Sequence, residues 1–160
     1  MSKIIIRTII HANIETCFDI ARSVEIHEES FRFLDEKAIS GKTSGLVQLG
    51  DFVSWEVKHL FFVQHITTKI TQFKAHKLFA CHMVFGFFKF FKQEYRFEAL
   101  ENEKRVVMTN LLVFEPPYGC LGKLVNILFL KRYITCVSKK RDAYIKRKAE
   151  ASTFYMQQAS

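Results

Sequence analysis

Residues 119–150 read as one long helix, and they come after about eighty residues of strand-like sequence. Pro116-Pro117 stops the last strand, Gly119 and Gly122 come next, and no proline interrupts the helical segment. Leu121, Leu124, Val125, Leu128, Tyr133, Cys136 and Val137 recur at three-to-four spacing, which places them along one helical stripe. Such a stripe must be buried against another element, and the strands are the only large partner the order provides. The sequence therefore predicts an α+β fold in which a curved antiparallel sheet closes on one long terminal helix. Between the two lies a space suited to an apolar molecule.

The rest of the chain agrees with this order. Lys3 to His11 alternates β-branched residues and reads as a strand. Asn13 is a good N-cap for a short helix carrying Ile14, Cys17, Phe18 and Ala21 on one face. A second helical piece spans 24–33, and 38–47 reads as a short strand and turn broken by Gly41 and Gly45. Strands are expected at about 51–60, 62–73, 77–85, 87–100 and 104–115, with a hairpin turn at Glu101-Asn102-Glu103. The sheet thus has about six or seven strands, with two short helices after the first. Residues 1–151 form one expected domain and 152–160 a tail.

Composition limits the function. The chain is 49% hydrophobic with 17 phenylalanines and only 2 prolines, which suits a large core and argues against disorder. The longest apolar run, Leu124 to Leu130, is far short of the ~20 residues a membrane-spanning helix needs. No basic-apolar-small signal pattern opens the chain, so a cytoplasmic location is expected. Cys17, Cys81, Cys120 and Cys136 are widely spaced, without metal-ligand spacing, and read as reduced thiols. No metal or cofactor motif is present. Nearly the whole net charge of +8 lies in 119–150, including Lys139, Lys140 and Arg141. The plainer reading is a solvated helix face, and the functional one is a contact with anionic membrane headgroups. No nucleic-acid motif accompanies the charge.

Period-two alternation predicts which side chains face inward. The sets are Val53, Trp55, Val57 and His59; Ile66, Thr68 and Ile70; Phe79, Cys81, Met83 and Phe85; Phe87, Lys89, Phe91, Gln93, Tyr95 and Phe97; and Val106, Met108, Asn110, Leu112 and Phe114. Lys92, Glu94, Arg96 and Glu98 take the opposite face and belong in water; phase alone leaves His65 undecided, and the set Ile66, Thr68 and Ile70 would place it outward. The expected wall of a binding space is Trp55, Phe79, Met83, Phe91, Phe97, Met108 and Phe114, with Cys81 on the same face. His59, Gln93, Tyr95 and Asn110 would orient a ligand by hydrogen bonds.

Several stretches resemble a known superfamily. Gly45-Leu46-Val47-Gln48-Leu49-Gly50-Asp51, then Trp55-Glu56-Val57-Lys58-His59, Phe91 to Phe97, Met108-Thr109-Asn110 and Pro116 to Gly122 are similar to bacterial SRPBCC proteins. These are the START and polyketide-cyclase-like helix-grip folds. The resemblance implies that fold over nearly the whole chain, and ligand binding more than any one reaction. Where such relatives carry histidines, this chain has Gln93 and Tyr95; Asn110 stands for a common aspartate and Cys81 for a frequent acid. Gln and Asn orient ligands without acting as general bases, so the departures favour binding over catalysis.

Three functions stay open at this level. One is a module that binds or carries a lipid-like or aromatic molecule. Another is a cyclase- or dehydratase-like enzyme using His59 and Tyr95 as acid or base, although Glu56 lies on the wrong strand face to orient His59. The third is a membrane-surface or protein-interaction role for the basic helix. His11, His27, His76 and His82 lack metal-ligand spacing and carry no assigned role.

Overall fold

A computed structural model describes residues 1–59, 62–100, 102, 104–117 and 123–159. Strand β1 (Ser2–Ile10) leads into α1 (Ile14–Ala21) and α2 (Val24–Ser30), then a 3₁₀ turn at Arg32–Leu34. There follow β2 (Lys37–Gly41), β3 (Phe52–His59), β4 (Phe62–Lys74), β5 (Leu78–Phe85), β6 (Phe90–Leu100), β7 (Arg105–Glu115) and α3 (Lys123–Gln158). All pairings are antiparallel, in the sheet order β1-β7-β6-β5-β4-β3-β2. This is the helix-grip fold, with a curved seven-stranded sheet and one long C-terminal helix.

Local chemistry explains the short helices. The Asn13 side chain accepts a hydrogen bond from the Thr16 amide at 2.8 Å, and Ser23 caps α2 through the Ile26 amide at 3.3 Å. The helix expected over 24–33 stops earlier, because Phe31 caps α2 and the chain tightens into the 3₁₀ turn before Asp35 at φ 47°. The strand expected over 38–47 ends at Gly41, whose φ of 75° and contact with the Phe52 carbonyl leave no room for a Cβ.

Along β7 the even-numbered residues Val106, Met108, Asn110, Leu112 and Phe114 are all buried, as alternation requires. Val106 and Met108 belong to a core where the Phe18 ring sits edge-on to Phe73, Phe79 and Phe97 at 5.5–5.6 Å. A smaller cluster joins Ile4, Ile6, Leu112 and Phe114 to Ile134 of α3.

Some expectations fail for local reasons. Strand β6 begins at Phe90, so Phe87 and Lys89 lie in the bend before it, outside the strand's alternation. Phe85 is 65% exposed because the pairing of β4 with β5 shifts between Thr67 and Thr68, breaking the alternation. Glu94, expected in water, is buried on the outer face between Lys92 and Arg96, which both pair with it. Leu128 is exposed and not on the inner stripe. The helix expected to end at 150 continues to Gln158. Its expected start at 119–122 lies outside the described residues, as do the side chains of Leu124 and Val125. No helix among the described residues is long and apolar enough to cross a membrane.

Candidate functional site

A chamber of about 790 Å³ opens between the sheet and α3, within the range typical of small-molecule sites. Its sheet wall is made by Trp55 and Val53 of β3, Ile66 and Ile70 of β4, and Phe79 and Cys81 of β5. Phe91, Gln93 and Tyr95 of β6 complete it. The facing wall comes from α3 through Tyr133, Ile134, Cys136, Val137 and Arg141. His27 and Phe31 of the α2 segment close one side, and exposed Phe87 and Phe129 sit at the rim.

Six of the expected ligand-contacting residues therefore meet the chamber: Trp55, Phe79, Cys81, Phe91, Gln93 and Tyr95. Phe97, Met108 and Phe114 are on the expected face but packed solidly into the core, so they support the wall without reaching the space. Met83 is half-buried and stands outside the lining. Asn110 is fully buried behind the wall. The side chain of His59 lies outside the described residues.

Gln93, Tyr95 and Asn110 do come together, around a partner that sequence patterns do not single out. Asp142 of α3 accepts hydrogen bonds from Asn110 Nδ2 at 3.0 and 3.1 Å and from the Tyr95 hydroxyl at 3.2 Å. Gln93 Nε2 donates to Asn110 Oδ1 at 3.0 Å and to the Tyr95 oxygen at 3.1 Å. Burial pushes the Asp142 carboxyl up to about 6, against the opposing effects of Asn110, Arg141 and Tyr95. Burial likewise raises the Tyr95 phenol well above its ordinary value, opposed by Arg141 and reinforced by Asp142. Tyr95 is thus a held hydrogen-bond donor at neutral pH.

A second group that sequence patterns miss is on α2. The His27 ring stacks on Trp55 at 4.0 Å, and its Nε2 donates to Glu36 Oε1 at 2.8 Å. Burial, then the Arg141 charge, hold the imidazole below its ordinary pKa against the pull of Glu36. A neutral imidazole that donates through Nε2 carries its lone pair on Nδ1. No spacing rule finds this pair, because its members belong to α2 and to the turn before β2.

Sequence alone groups Arg141 with Lys139 and Lys140 as a surface cation. It is instead only 6% exposed and faces the chamber, so it is unavailable to a membrane headgroup. Lys139 is exposed, and Lys140 lies over the Phe33 ring at 4.7 Å. A signal for Arg141 did exist: Tyr133, Val137 and Arg141 recur every four residues and share one face of α3. Among the described residues, no cluster of His, Cys, Asp and Glu could hold a metal.

A seven-stranded sheet gripping one helix over a largely apolar chamber is the helix-grip fold, the fold expected from the SRPBCC resemblance. Solved structures agree. The chain superposes on the Thermus thermophilus protein TTHA0849 with a TM-score of 0.76 at 10% identity, covering 95% of this chain and 99% of that one. The ZhuI aromatase/cyclase from Streptomyces sp. R1128 gives 0.76 at 12% identity over 93% of each chain. Ginseng major latex-like protein 151 from Panax ginseng gives 0.62 at 12% identity, over 95% and 97%. At these identities the likeness is one of fold. No protein-family model and no curated protein sequence matches the chain.

Proposed function

We propose that this protein binds a small, largely apolar molecule, lipid-like or aromatic, in the chamber between the sheet and α3, and sequesters or carries it. The observation that carries this reading is the chamber itself. A space of about 790 Å³ walled by Trp55, Phe79, Phe91, Ile134 and Val137 is far larger than a packing defect. Of the expected ligand-contacting residues, Trp55, Phe79, Cys81 and Phe91 supply apolar surface, and Gln93 and Tyr95 supply polar atoms. Exposed Phe87 and Phe129 at the rim mark the natural place of entry.

The His27–Glu36 pair favours a second reading, an enzyme acting on the bound molecule as the cyclase-like folds do. An imidazole oriented by a carboxylate is the arrangement a general base requires. In that reading His27 is the base, and Tyr95 acts only as a donor. Contact with an anionic membrane surface would rest on exposed cations such as Lys131, Arg132 and Lys139.

Native mass spectrometry of gently purified protein, followed by denaturing extraction, tests the carrier reading. A co-purified lipid or aromatic compound in stoichiometric amount is the expected result. A protein of apo mass that also takes up no added apolar probe overturns it.

A further inference from the structure

Among the described residues, Arg141 is a buried cation that makes no direct ion pair, although its charge acts on the neighbouring Asp142 carboxyl. Its guanidinium lies 5.1 Å from the centre of the Tyr95 ring and 5.6 Å from that of Phe31. Its Nη2 donates to the Ala21 carbonyl at 3.2 Å, and Nε, fully buried, has no partner. The carboxylates nearby are engaged elsewhere: Asp142 by Asn110 and Tyr95, Glu36 by His27. Neither forms an ion pair with Arg141. Arginine keeps its charge in a protein interior, and burying that charge without an anion is costly. Aromatic faces offset only part of the cost.

The arrangement has a direction. Arg141 stands on the inner wall, twelve residues along α3 from exposed Phe129 at the rim, or about 18 Å at the α-helical rise. Tyr133, Ile134 and Val137 line the path between them. The chamber therefore joins an apolar passage to a positive charge that makes no direct ion pair.

We infer that Arg141 is the counter-ion for the ligand, so that the molecule bound here is an amphipathic oxyanion, its carboxylate, sulfonate or phosphate against Arg141 and its apolar body toward Phe129. This rests on the chamber being a binding site. It specifies the class of ligand, since a planar guanidinium that lines the chamber without an ion pair matches an oxyanion in charge and shape. It also separates Arg141 from Lys131 and Lys139 of α3, which are exposed and stand outside the chamber lining.

Two fluorescent probes with one aromatic frame test it: 8-anilinonaphthalene-1-sulfonate, which is anionic, and N-phenyl-1-naphthylamine, which is neutral. The wild-type protein is expected to bind the sulfonate about 10- to 100-fold more tightly, as a charged hydrogen bond implies. Arg141→Met, which keeps most of the apolar stem, should remove that preference and leave the neutral probe bound. Arg141→Gln should do the same and stands in if the methionine variant does not fold. Val137→Trp, which narrows the passage between Phe129 and Arg141, should weaken both probes.

A wild-type protein without preference for the sulfonate, or a preference that survives in both Arg141 variants, overturns the inference while neutral binding keeps the chamber reading alive. Loss of the preference in Lys131→Gln/Lys139→Gln also overturns it, by assigning the effect to surface charge. Failure of both probes to bind, or indifference of both to Val137→Trp, defeats the chamber reading and the inference together.

Discussion

Asn110 Nδ2 donates to both carboxylate oxygens of Asp142, at 3.0 and 3.1 Å, and so ties the middle of β7 to the middle of α3. Both residues are buried, and the same carboxylate also holds the Tyr95 hydroxyl. One polar cluster therefore fixes the helix against the sheet and shapes the wall that Gln93 and Tyr95 present to the chamber.

Asn110→Leu leaves that carboxylate short of a donor in the interior. A loss of about 2–4 kcal/mol in unfolding free energy is expected from breaking a buried, charged hydrogen-bond set. Urea denaturation checks it, and a loss under about 0.5 kcal/mol would mean the cluster is not what anchors α3.

The pH dependence of stability should carry the mark of Asp142. Its carboxyl is raised from 3.8 to about 6 in the folded protein. At pH 4–6 the folded state therefore holds a proton that the unfolded chain releases. The stability from this proton is fully present below pH 3.8 and is lost as pH rises through about 6, on the order of 3 kcal/mol in all. Asp142→Asn should flatten that part of the curve, since an amide accepts from Asn110 and Tyr95 without titrating. Equal slopes for both proteins between pH 4 and 6 would contradict this.

Trp55 serves packing and the chamber together. It is 6% exposed, donates through Nε1 to Thr68 at 3.3 Å, and stacks on His27. Trp55→Ala should cost about 3 kcal/mol, the low end for a large aromatic, because one face already borders open space. The variant should also accept a bulkier probe. Thermal unfolding and probe titration together decide it, and a cost above about 5 kcal/mol would mark the indole as fully packed core.

Thiol chemistry reads out occupancy. Burial, followed by the Glu150 charge, pushes the Cys17 thiol up to about 12, so it should stay inert in the folded protein. Cys136 is exposed and borders the chamber. The labelling that disappears in Cys136→Ser should be slowed several-fold by a bound apolar probe. Labelling of Cys136 at the same rate with and without saturating probe would place the probe elsewhere.

The fold was legible in the sequence because it rests on periodicity and order. Alternation along Val106 to Phe114, the caps at Asn13 and Ser23, and one long helix after the strands each reflect a local rule, and the sheet followed from them. The sheet side of the wall was legible for the same reason, since Trp55, Phe79, Phe91, Gln93 and Tyr95 share faces that alternation defines. Where a bulge intervened, as before Phe85, alternation misled.

The charged partners were another matter. Arg141 and Asp142 are adjacent and sit in a strongly basic helix, where the composition reads as a solvated face. Only packing α3 against α1, α2 and β6 takes the Arg141 guanidinium out of water, and only the register of β7 brings Asn110 to Asp142. His27 met Trp55 and Glu36 through the same docking of separate elements. Local chemistry set which strands and helices form and which faces are apolar. Tertiary structure decided which charges are buried and what they lack, because desolvation belongs to the assembled fold and to no residue alone.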